Sequence, residues 1–199
     1  HNCNSYLLIN GHQCLVVDPG FNDNNCLINA INKRGLSLKG ILLTHGHYDH
    51  IDGLRSIKNI PVYLFHSEVK ALENSRDNCS FMSLSPFSVT DAKVVTFDDN
   101  EILVLIGIKI RVIHTPFHTA GSVCFYLEDK HVVLTGDTLF LHAIGRYDLP
   151  TSRPRLIRSS LAKLFTLPHD KENNTIVYPG HGAKTTLADE YSFLKNEYL

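Results

Sequence analysis

The sequence lacks several features that would place it in a specialised class of protein. It has no apolar run as long as a membrane span, no C-x-x-C pair, no internal repeat and no low-complexity tract. Its net charge of −1 gives no electrostatic reason to expect nucleic acid or an anionic membrane as a partner. These absences leave a soluble globular protein, with neither a membrane nor a nucleic acid among its predicted partners.

The cysteines are odd in number, five in all, which argues against a disulfide framework. Cys14 and Cys124 lie in apolar, strand-like runs, where a reduced thiol behaves as a small hydrophobic group. Reduced cysteines indicate a cytoplasmic location. The first residue is His1 and not Met, so we expect the true N-terminal start to be missing.

The first half of the chain alternates strand and helix patterns. Asn10-Gly11 between two apolar runs predicts a hairpin, with Gly35 ending the helix that follows. Ser67 is the expected cap of a later short helix. The predicted elements are strands at Tyr6–Ile9, Cys14–Val17, Gly40–Leu43 and Val62–Phe65, helices at Asp23–Arg34, Ile51–Ile57 and Ser67–Asn74, and an irregular excursion from Ser75 to Asp91.

The second half is richer in strands. We expect a meander of Val94–Phe97, Ile102–Leu105 and Ile108–Ile113, with Gly107 at a turn. Strands at Val123–Leu127, Val132–Leu134 and Thr175–Tyr178 and helices at Arg155–Phe165 and from Thr186 follow. The 199 residues, 43% of them hydrophobic, suit one domain over residues 1–199. Strands in both halves with helices between them predict an α+β fold of two packed sheets flanked by helices.

The most informative stretch is Thr44-His45-Gly46-His47-Tyr48-Asp49-His50, directly after the predicted strand at Gly40–Leu43. His45, His47 and Asp49 alternate, so an extended backbone would point all three to one side. Imidazole and carboxylate groups delivered together by a strand end are typical of a zinc or iron site.

Three further strand ends carry the same chemistry. His118, Asp137 and His181 each lie beside or close to glycine just after a predicted strand. Together with the first stretch they make seven candidate ligands: His45, His47, Asp49, His50, His118, Asp137 and His181. A catalytic zinc needs about three protein ligands, so seven fit two metals that share one ligand. Asp137 is the expected bridge, because a carboxylate has two oxygens and an imidazole has only one nitrogen to offer.

With these motifs the sequence resembles the metallo-β-lactamase fold superfamily, and within it the glyoxalase II-like (hydroxyacylglutathione hydrolase-like) group. The matching pieces are Asp18-Pro19-Gly20, Thr44–His50, His118-Thr119-Ala120-Gly121-Ser122, Thr135–Phe140, Gly145–Pro150 and Pro179-Gly180-His181-Gly182. The resemblance implies an αββα sandwich. It also implies a short single-domain form, because only about fifteen residues follow the Gly182–Lys184 loop and no C-terminal helical domain is present.

The resemblance assigns roles to individual residues. It implies one metal held by His45, His47 and His118, a second held by Asp49, His50 and His181, and Asp137 as the bridge. Asp18 resembles a supporting aspartate that orients the ligand loops, although the same residues would also suit an ordinary turn. Arg146 is a weak candidate for substrate binding, and bracing of its own loop is the favoured alternative.

These observations predict a binuclear metallohydrolase of a glutathione-type thioester such as S-lactoylglutathione. Two divalent ions, zinc before iron or manganese, would generate a bridging hydroxide, and Asp49 and Asp137 would be the catalytic carboxylates. A thiolate leaves with little protonation, which favours thioesters over amides. The alternatives are a mononuclear-iron persulfide dioxygenase, a lactonase or β-lactamase-like hydrolase, and a non-enzymatic metal-binding protein. Metal analysis separates the first alternative, because it needs one iron per chain.

Overall fold

The computed structural model describes residues 3–20, 25–172 and 174–198 of the chain. Its contacts divide the chain into two compact units. The first extends to Phe97 and also contains Val104–Ile108, and the second contains Asp98–Leu103 and the chain from Lys109 onward. The expectation of one domain stays a prediction, and each unit is described by itself below.

A five-stranded sheet forms the first unit, in the order β1-β2-β3-β4-β5. Its strands are β1 (Tyr6–Asn10), β2 (Gln13–Val17), β3 (Ser37–Leu42), β4 (Pro61–Phe65) and β5 (Lys93–Phe97). The first pair is antiparallel and the other three pairs are parallel. The carboxyl ends of β2, β3 and β4 therefore lie at the same edge of this sheet.

The predicted hairpin is confirmed, with its turn one residue later than expected. Asn10 pairs with Gln13, so the two turn residues are Gly11 and His12. Gly11 has a φ of 57°, a value that a hairpin turn of this length requires and that glycine adopts without strain. Helix α1 (Cys26–Lys33) ends before Gly35, as predicted, whereas its expected start at Asp23 lies outside the described residues.

Short helical segments follow β3 and β4. Helix α2 (Tyr48–Ile51) continues into a 3₁₀ turn at Asp52–Arg55, and a 3₁₀ turn at His66–Glu68 leads into α3 (Val69–Glu73). The prediction that Ser67 caps a helix is wrong, because Ser67 lies inside the 3₁₀ turn and no side chain caps either segment. The residue in the capping position of the 3₁₀ turn is Phe65, which is extended but has no polar side chain to accept a hydrogen bond.

The predicted meander is wrong for its first strand. β5 pairs in parallel with β4 and completes the sheet of the first unit, with Phe65 opposite Phe97. Nearness in sequence favoured pairing with Ile102–Leu105, but strand pairing is decided by long-range contacts that a local pattern does not contain. The excursion between α3 and β5 is irregular, as expected, apart from a 3₁₀ turn at Ser80–Met82.

The sheet of the second unit has six strands in the order β13-β12-β9-β8-β7-β6. The chain supplies β6 (Ile102–Leu105), β7 (Ile108–His114), β8 (Val123–Leu127), β9 (Val132–Gly136), the small pair β10 (Leu139–Phe140) and β11 (Ala143–Ile144), then α4 (Ile157–Leu164), β12 (Ile176–Pro179), β13 (Thr185–Thr186) and α5 (Leu187–Tyr198). β10, β11 and β13 were not predicted, because two residues give no periodicity to detect.

Strand direction determines where the polar residues of this unit are delivered. β7 and β9 both run antiparallel to β8, and β12 runs parallel to β9. β7, β9 and β12 therefore end at the same edge. Buried apolar residues from this sheet pack with residues of α4 and α5, among them Leu161, Leu164 and Leu194.

The fold class is confirmed as α+β, with mixed sheets flanked by helices. No helix among the described residues is long and apolar enough to cross a bilayer. No disulfide joins any of the five cysteines, all of which lie in the described part of the chain.

Candidate metal centre

The histidine-rich loop of the first unit brings its four candidate ligands together. The rings of His45 and His47 lie 4.7 Å apart between centroids, and those of His45 and His50 lie 4.1 Å apart. Ligand atoms of Asp49 and His50 approach to within 4.8 Å of each other. His45, His47 and His50 are all buried.

The backbone of this loop departs from the prediction at Asp49. His47 is extended, with φ −70° and ψ 149°, but α2 begins at Tyr48. His47 is therefore on extended backbone, as expected, whereas Asp49 is not. Asp49 lies in the first turn of α2, where Asp is favourable. A helical turn, and not a strand, places Asp49 and His50.

Asp18 holds this loop from the end of the neighbouring strand β2. Its Oδ1 accepts the backbone N–H of Thr44 at 2.8 Å, and its Oδ2 accepts the Thr44 hydroxyl at 2.7 Å and Nδ1 of His50 at 2.9 Å. Asp18 is buried and has a φ of 50°, a left-handed conformation that Asp tolerates better than most residues. A buried carboxylate thus fixes the orientation of one candidate ligand and the backbone before another.

The even-numbered residues of the loop are anchored one after the other. The N–H of Thr44 is held by Asp18, that of Gly46 by Oε2 of Glu68 at 2.8 Å, and that of Tyr48 by the carbonyl of Asn78 at 2.7 Å. Three of the loop's four candidate ligands occupy the odd positions 45, 47 and 49, and the fourth is His50. Sequence reasoning missed Glu68 and Asn78; the available signal for Glu68 was a carboxylate following a strand parallel to β3.

The second unit gathers the other three candidate ligands about one carboxylate. His118, Asp137 and His181 follow the ends of β7, β9 and β12 respectively. Oδ2 of Asp137 lies 3.5 Å from Nε2 of His118 and 3.6 Å from Nε2 of His181. One carboxylate oxygen therefore faces two imidazole nitrogens.

The Gly145–Pro150 run supports His118. Nδ1 of His118 donates to the backbone carbonyl of Arg146 at 2.7 Å, and the Ser152 hydroxyl donates to the carbonyl of His118 at 2.8 Å. The guanidinium of Arg146 is exposed and forms two hydrogen bonds to Asp148, at 2.7 and 2.9 Å. In the structure Arg146 thus holds its own loop, which agrees with the bracing alternative.

The hydrogen bonds of three imidazoles share a pattern that is typical of metal-binding histidines. Nδ1 of His50 donates to Asp18 and Nδ1 of His118 donates to a carbonyl. Because the Thr44 hydroxyl donates to Asp18, its oxygen is the acceptor for Nδ1 of His45, 3.1 Å away. Nε2 is then the ring nitrogen of each that can bind a cation. Imidazole and carboxylate groups in this proportion suit zinc, iron or manganese.

Tyr48, within the histidine-rich loop, has a shifted pKa. Burial, together with the nearby charges of Asp49 and Cys79, raises the pKa of Tyr48 above its ordinary value. The Tyr48 phenol therefore stays protonated at neutral pH and does not act as a general base.

Comparison with known proteins gives a consistent result. Residues 1–181 match the Metallo-beta-lactamase superfamily. A probable metallo-hydrolase, YqgX, of Bacillus subtilis is 36% identical over 94% of this chain and 88% of its own. The hydroxyacylglutathione hydrolase GloC of Haemophilus influenzae is 34% identical over 88% of this chain and 82% of its own.

Solved structures agree with this result. The BLEG-1 B3 metallo-beta-lactamase has a TM-score of 0.87 and 33% identity, covering 96% of this chain and 91% of its own. TTHA1623 in a di-iron-bound form has a TM-score of 0.81 and 32% identity, covering 96% and 93%. ETHE1 from Myxococcus xanthus has a TM-score of 0.72 and 26% identity, covering 95% and 76%.

The mixed sheets and the His/Asp clusters at their strand ends define a metallo-hydrolase. The chain belongs to the metallo-β-lactamase superfamily.

Proposed function

We propose that this protein is a binuclear metallohydrolase that cleaves a glutathione-type thioester. In this proposal one divalent cation binds to His45, His47 and His118, a second binds to Asp49, His50 and His181, and Asp137 is shared by both. Zinc is the first choice, and iron or manganese would suit the same donors. Elemental analysis tests the identity of the metal, and turnover assays test the acyl group and the thiol of the substrate.

The observation that carries the proposal is the position of Asp137. Its Oδ2 lies at nearly equal distances from Nε2 of His118 and of His181, 3.5 and 3.6 Å. Those two histidines are assigned to different cations, so a carboxylate that faces both is suited to act as the common ligand. Two histidines and one carboxylate could also form a mononuclear triad, but such a site would use only three of the seven candidate ligands, which favours two metals over one.

The residues of the chain would then divide the work. When bound, the two cations would lower the pKa of a water and polarise the substrate carbonyl. Asp49 orients the attacking water, while Asp18 keeps His50 in the tautomer that binds through Nε2. A thiolate leaving group has an ordinary pKa near 8.5, so it departs with little protonation and needs no acid from the protein.

The thioester is favoured by similarity to a hydroxyacylglutathione hydrolase, GloC, over most of both chains. A second candidate, hydrolysis of a β-lactam ring, is favoured by the similarity to BLEG-1. A β-lactam releases an amine, which is a poorer leaving group than a thiolate. We therefore place the thioester first.

The test is elemental analysis of the purified protein followed by parallel turnover assays. We expect about two metals per chain and hydrolysis of S-lactoylglutathione, with no oxygen uptake on glutathione persulfide and slow or no opening of a β-lactam. One iron per chain with oxygen uptake on the persulfide would replace the proposal with a dioxygenase. Faster turnover of a β-lactam than of the thioester would replace it with the second candidate.

A further inference from the structure

The carboxylate of Glu68 lies beneath the histidine-rich loop and does not belong to the proposed ligand set. Glu68 ends the 3₁₀ turn that follows β4, and β4 runs parallel to β3. The carboxyl end of β4 therefore lies at the sheet edge from which the loop emerges. Glu68 is buried, with 3% of its surface exposed, which is rare for a glutamate that has no structural or functional contact to make.

The contact that Glu68 makes is with the residue between two candidate ligands. Its Oε2 accepts the backbone N–H of Gly46 at 2.8 Å in a buried setting. Gly46 separates His45 from His47, so the position of its peptide group determines where both imidazoles are presented. Removal of the acceptor would leave the buried N–H of Gly46 without its partner, which is costly whether the acceptor is a carboxylate or an amide oxygen.

The loop also packs closely on α3, the helix that directly follows Glu68. A Cβ added to Gly46 would lie 2.5 Å from Cβ of Ala71 and 3.1 Å from Oε2 of Glu68. No residue with a Cβ fits at position 46 without displacing α3. Glycine and glutamate thus form a matched pair, in which the absence of a Cβ permits the approach that the hydrogen bond requires.

We infer that Glu68 is a positioning residue for the metal-binding loop, acting through its hydrogen bond to the N–H of Gly46 on the placement of His45 and His47. The inference rests on the proposed metal centre. Residues that support metal ligands in this way commonly change metal affinity by about 10- to 100-fold when they are removed.

The test compares four full-length proteins: wild type, Glu68→Ala, Glu68→Gln and Glu73→Ala. The amide oxygen of glutamine can accept the same hydrogen bond in a side chain of the same length, so Glu68→Gln should restore what alanine removes. Glu73 is an exposed glutamate at the end of α3, the helix that follows Glu68, and serves as the matched control. Each protein is stripped of metal and titrated with Zn²⁺ and with Co²⁺ against a chelator of known affinity.

We expect Glu68→Ala to bind both ions about 10- to 100-fold more weakly and to show a changed Co²⁺ absorption spectrum, because the histidine geometry is altered. Glu68→Gln and Glu73→Ala should keep the wild-type affinity and spectrum. If Glu68→Ala does not fold, as judged by circular dichroism, Glu68→Asp decides, since its shorter side chain cannot reach Gly46 and should weaken binding similarly.

Two results would overturn the inference. The first is an unchanged affinity and spectrum in Glu68→Ala, or in Glu68→Asp where that variant decides. The second is a Glu68→Gln variant as weak as Glu68→Ala, which would assign the effect to charge. A wild-type protein that binds neither ion would overturn the metal centre as well. A wild type that binds metal but cleaves no thioester would remove only the proposed substrate.

Discussion

Asp18 and His50 are joined by a buried hydrogen bond of 2.9 Å between the carboxylate Oδ2 and the imidazole Nδ1. The carboxylate also accepts two hydrogen bonds from Thr44, so all the partners that face it are donors. This arrangement specifies the tautomer of His50, because Nδ1 must carry the proton. Asp18 thus determines which nitrogen of His50 can bind a cation, although Asp18 is not itself a proposed ligand.

Asp18→Asn should therefore impair the site although it changes one atom. The NH₂ group of asparagine must take the place of either Oδ2, facing Nδ1 of His50, or Oδ1, facing the N–H of Thr44. In each orientation one hydrogen-bond donor faces another. If the amide faces Nδ1 of His50, the ring proton moves to Nε2, and Nε2 then cannot bind a cation. We expect metal content to fall from about two to about one per chain, measured by elemental analysis after dialysis.

Asp52→Asn is the control for this substitution. Asp52 accepts a hydrogen bond from the exposed guanidinium of Arg55, which is not a candidate ligand. It should keep the wild-type metal content. Equal stoichiometry in Asp18→Asn and wild type would show that His50 binds, if at all, without help from Asp18.

Asp137→Ala tests the shared carboxylate. Removing it deprives His118 and His181 of the oxygen that lies 3.5 and 3.6 Å from their Nε2 atoms. We expect loss of metal and of nearly all thioester hydrolysis, measured on the same preparation. His12→Ala, in the exposed turn between β1 and β2, should do neither. Full turnover by Asp137→Ala would exclude the proposed bridging role.

The parts of the structure that the sequence predicted well are those with local causes. The hairpin between β1 and β2 and the helix end before Gly35 follow from backbone conformations that glycine adopts easily, and both occur, the hairpin turn one residue later than predicted. The elements that carry the candidate ligands could be predicted because each apolar run ends in a polar residue. β5 could not, because its partner is chosen by the whole sheet and not by its own residues.

Within the candidate site, the sequence indicated the candidate ligands and one support, Asp18, but not the other residues that hold the loop. His45 and His47 are recognisable by type and spacing, whereas the acceptors for Gly46 and Tyr48 come from Glu68 and Asn78, which are more than twenty residues away. One acceptor is a backbone carbonyl, which has no sequence signature. Asp49 was expected on extended backbone, because nothing local indicated that α2 begins at Tyr48.

The cysteines should differ widely in reactivity. Burial raises the pKa of Cys124 to about 11 and also raises the pKa of Cys14. Since the thiolate is the reactive form, both should resist alkylation in the native protein. Cys26 is exposed and should be modified first. Mass spectrometry after timed alkylation measures this order, and rapid native labelling of Cys124 would contradict it.

A second carboxylate, distant in sequence from the ligands, should influence the pH dependence of stability. Lys163 donates to Oδ2 of Asp99 at 2.8 Å and to the carbonyl of His114 at 2.9 Å, and the N–H of His114 donates to Oδ1 of Asp99. Burial by itself raises the pKa of Asp99, but the hydrogen bonds from Lys163 and His114 and their charges hold it below its ordinary value.

A lowered pKa in the folded state gives the sign of the effect. The unfolded chain binds more protons at Asp99 than the folded one, so stability from this group is fully present above the unfolded pKa of about 3.9. It is lost as the pH falls from there through the lower folded pKa. Lys163→Met removes the main cause of the lowering, so the free energy of unfolding should depend less steeply on pH in this acid range.

Urea unfolding at a series of pH values measures this slope, and Lys58→Met provides the comparison. Lys58 pairs with Asp91 at 2.9 Å, and that pairing also lowers the pKa of Asp91, but both groups are exposed. Solvent and salt screen such a pair, so its removal should change the slope little. The Asp99 contribution is itself partly screened, since Lys163 is 42% exposed, and should weaken but persist in added salt. A Lys163→Met slope equal to that of wild type would contradict the assignment.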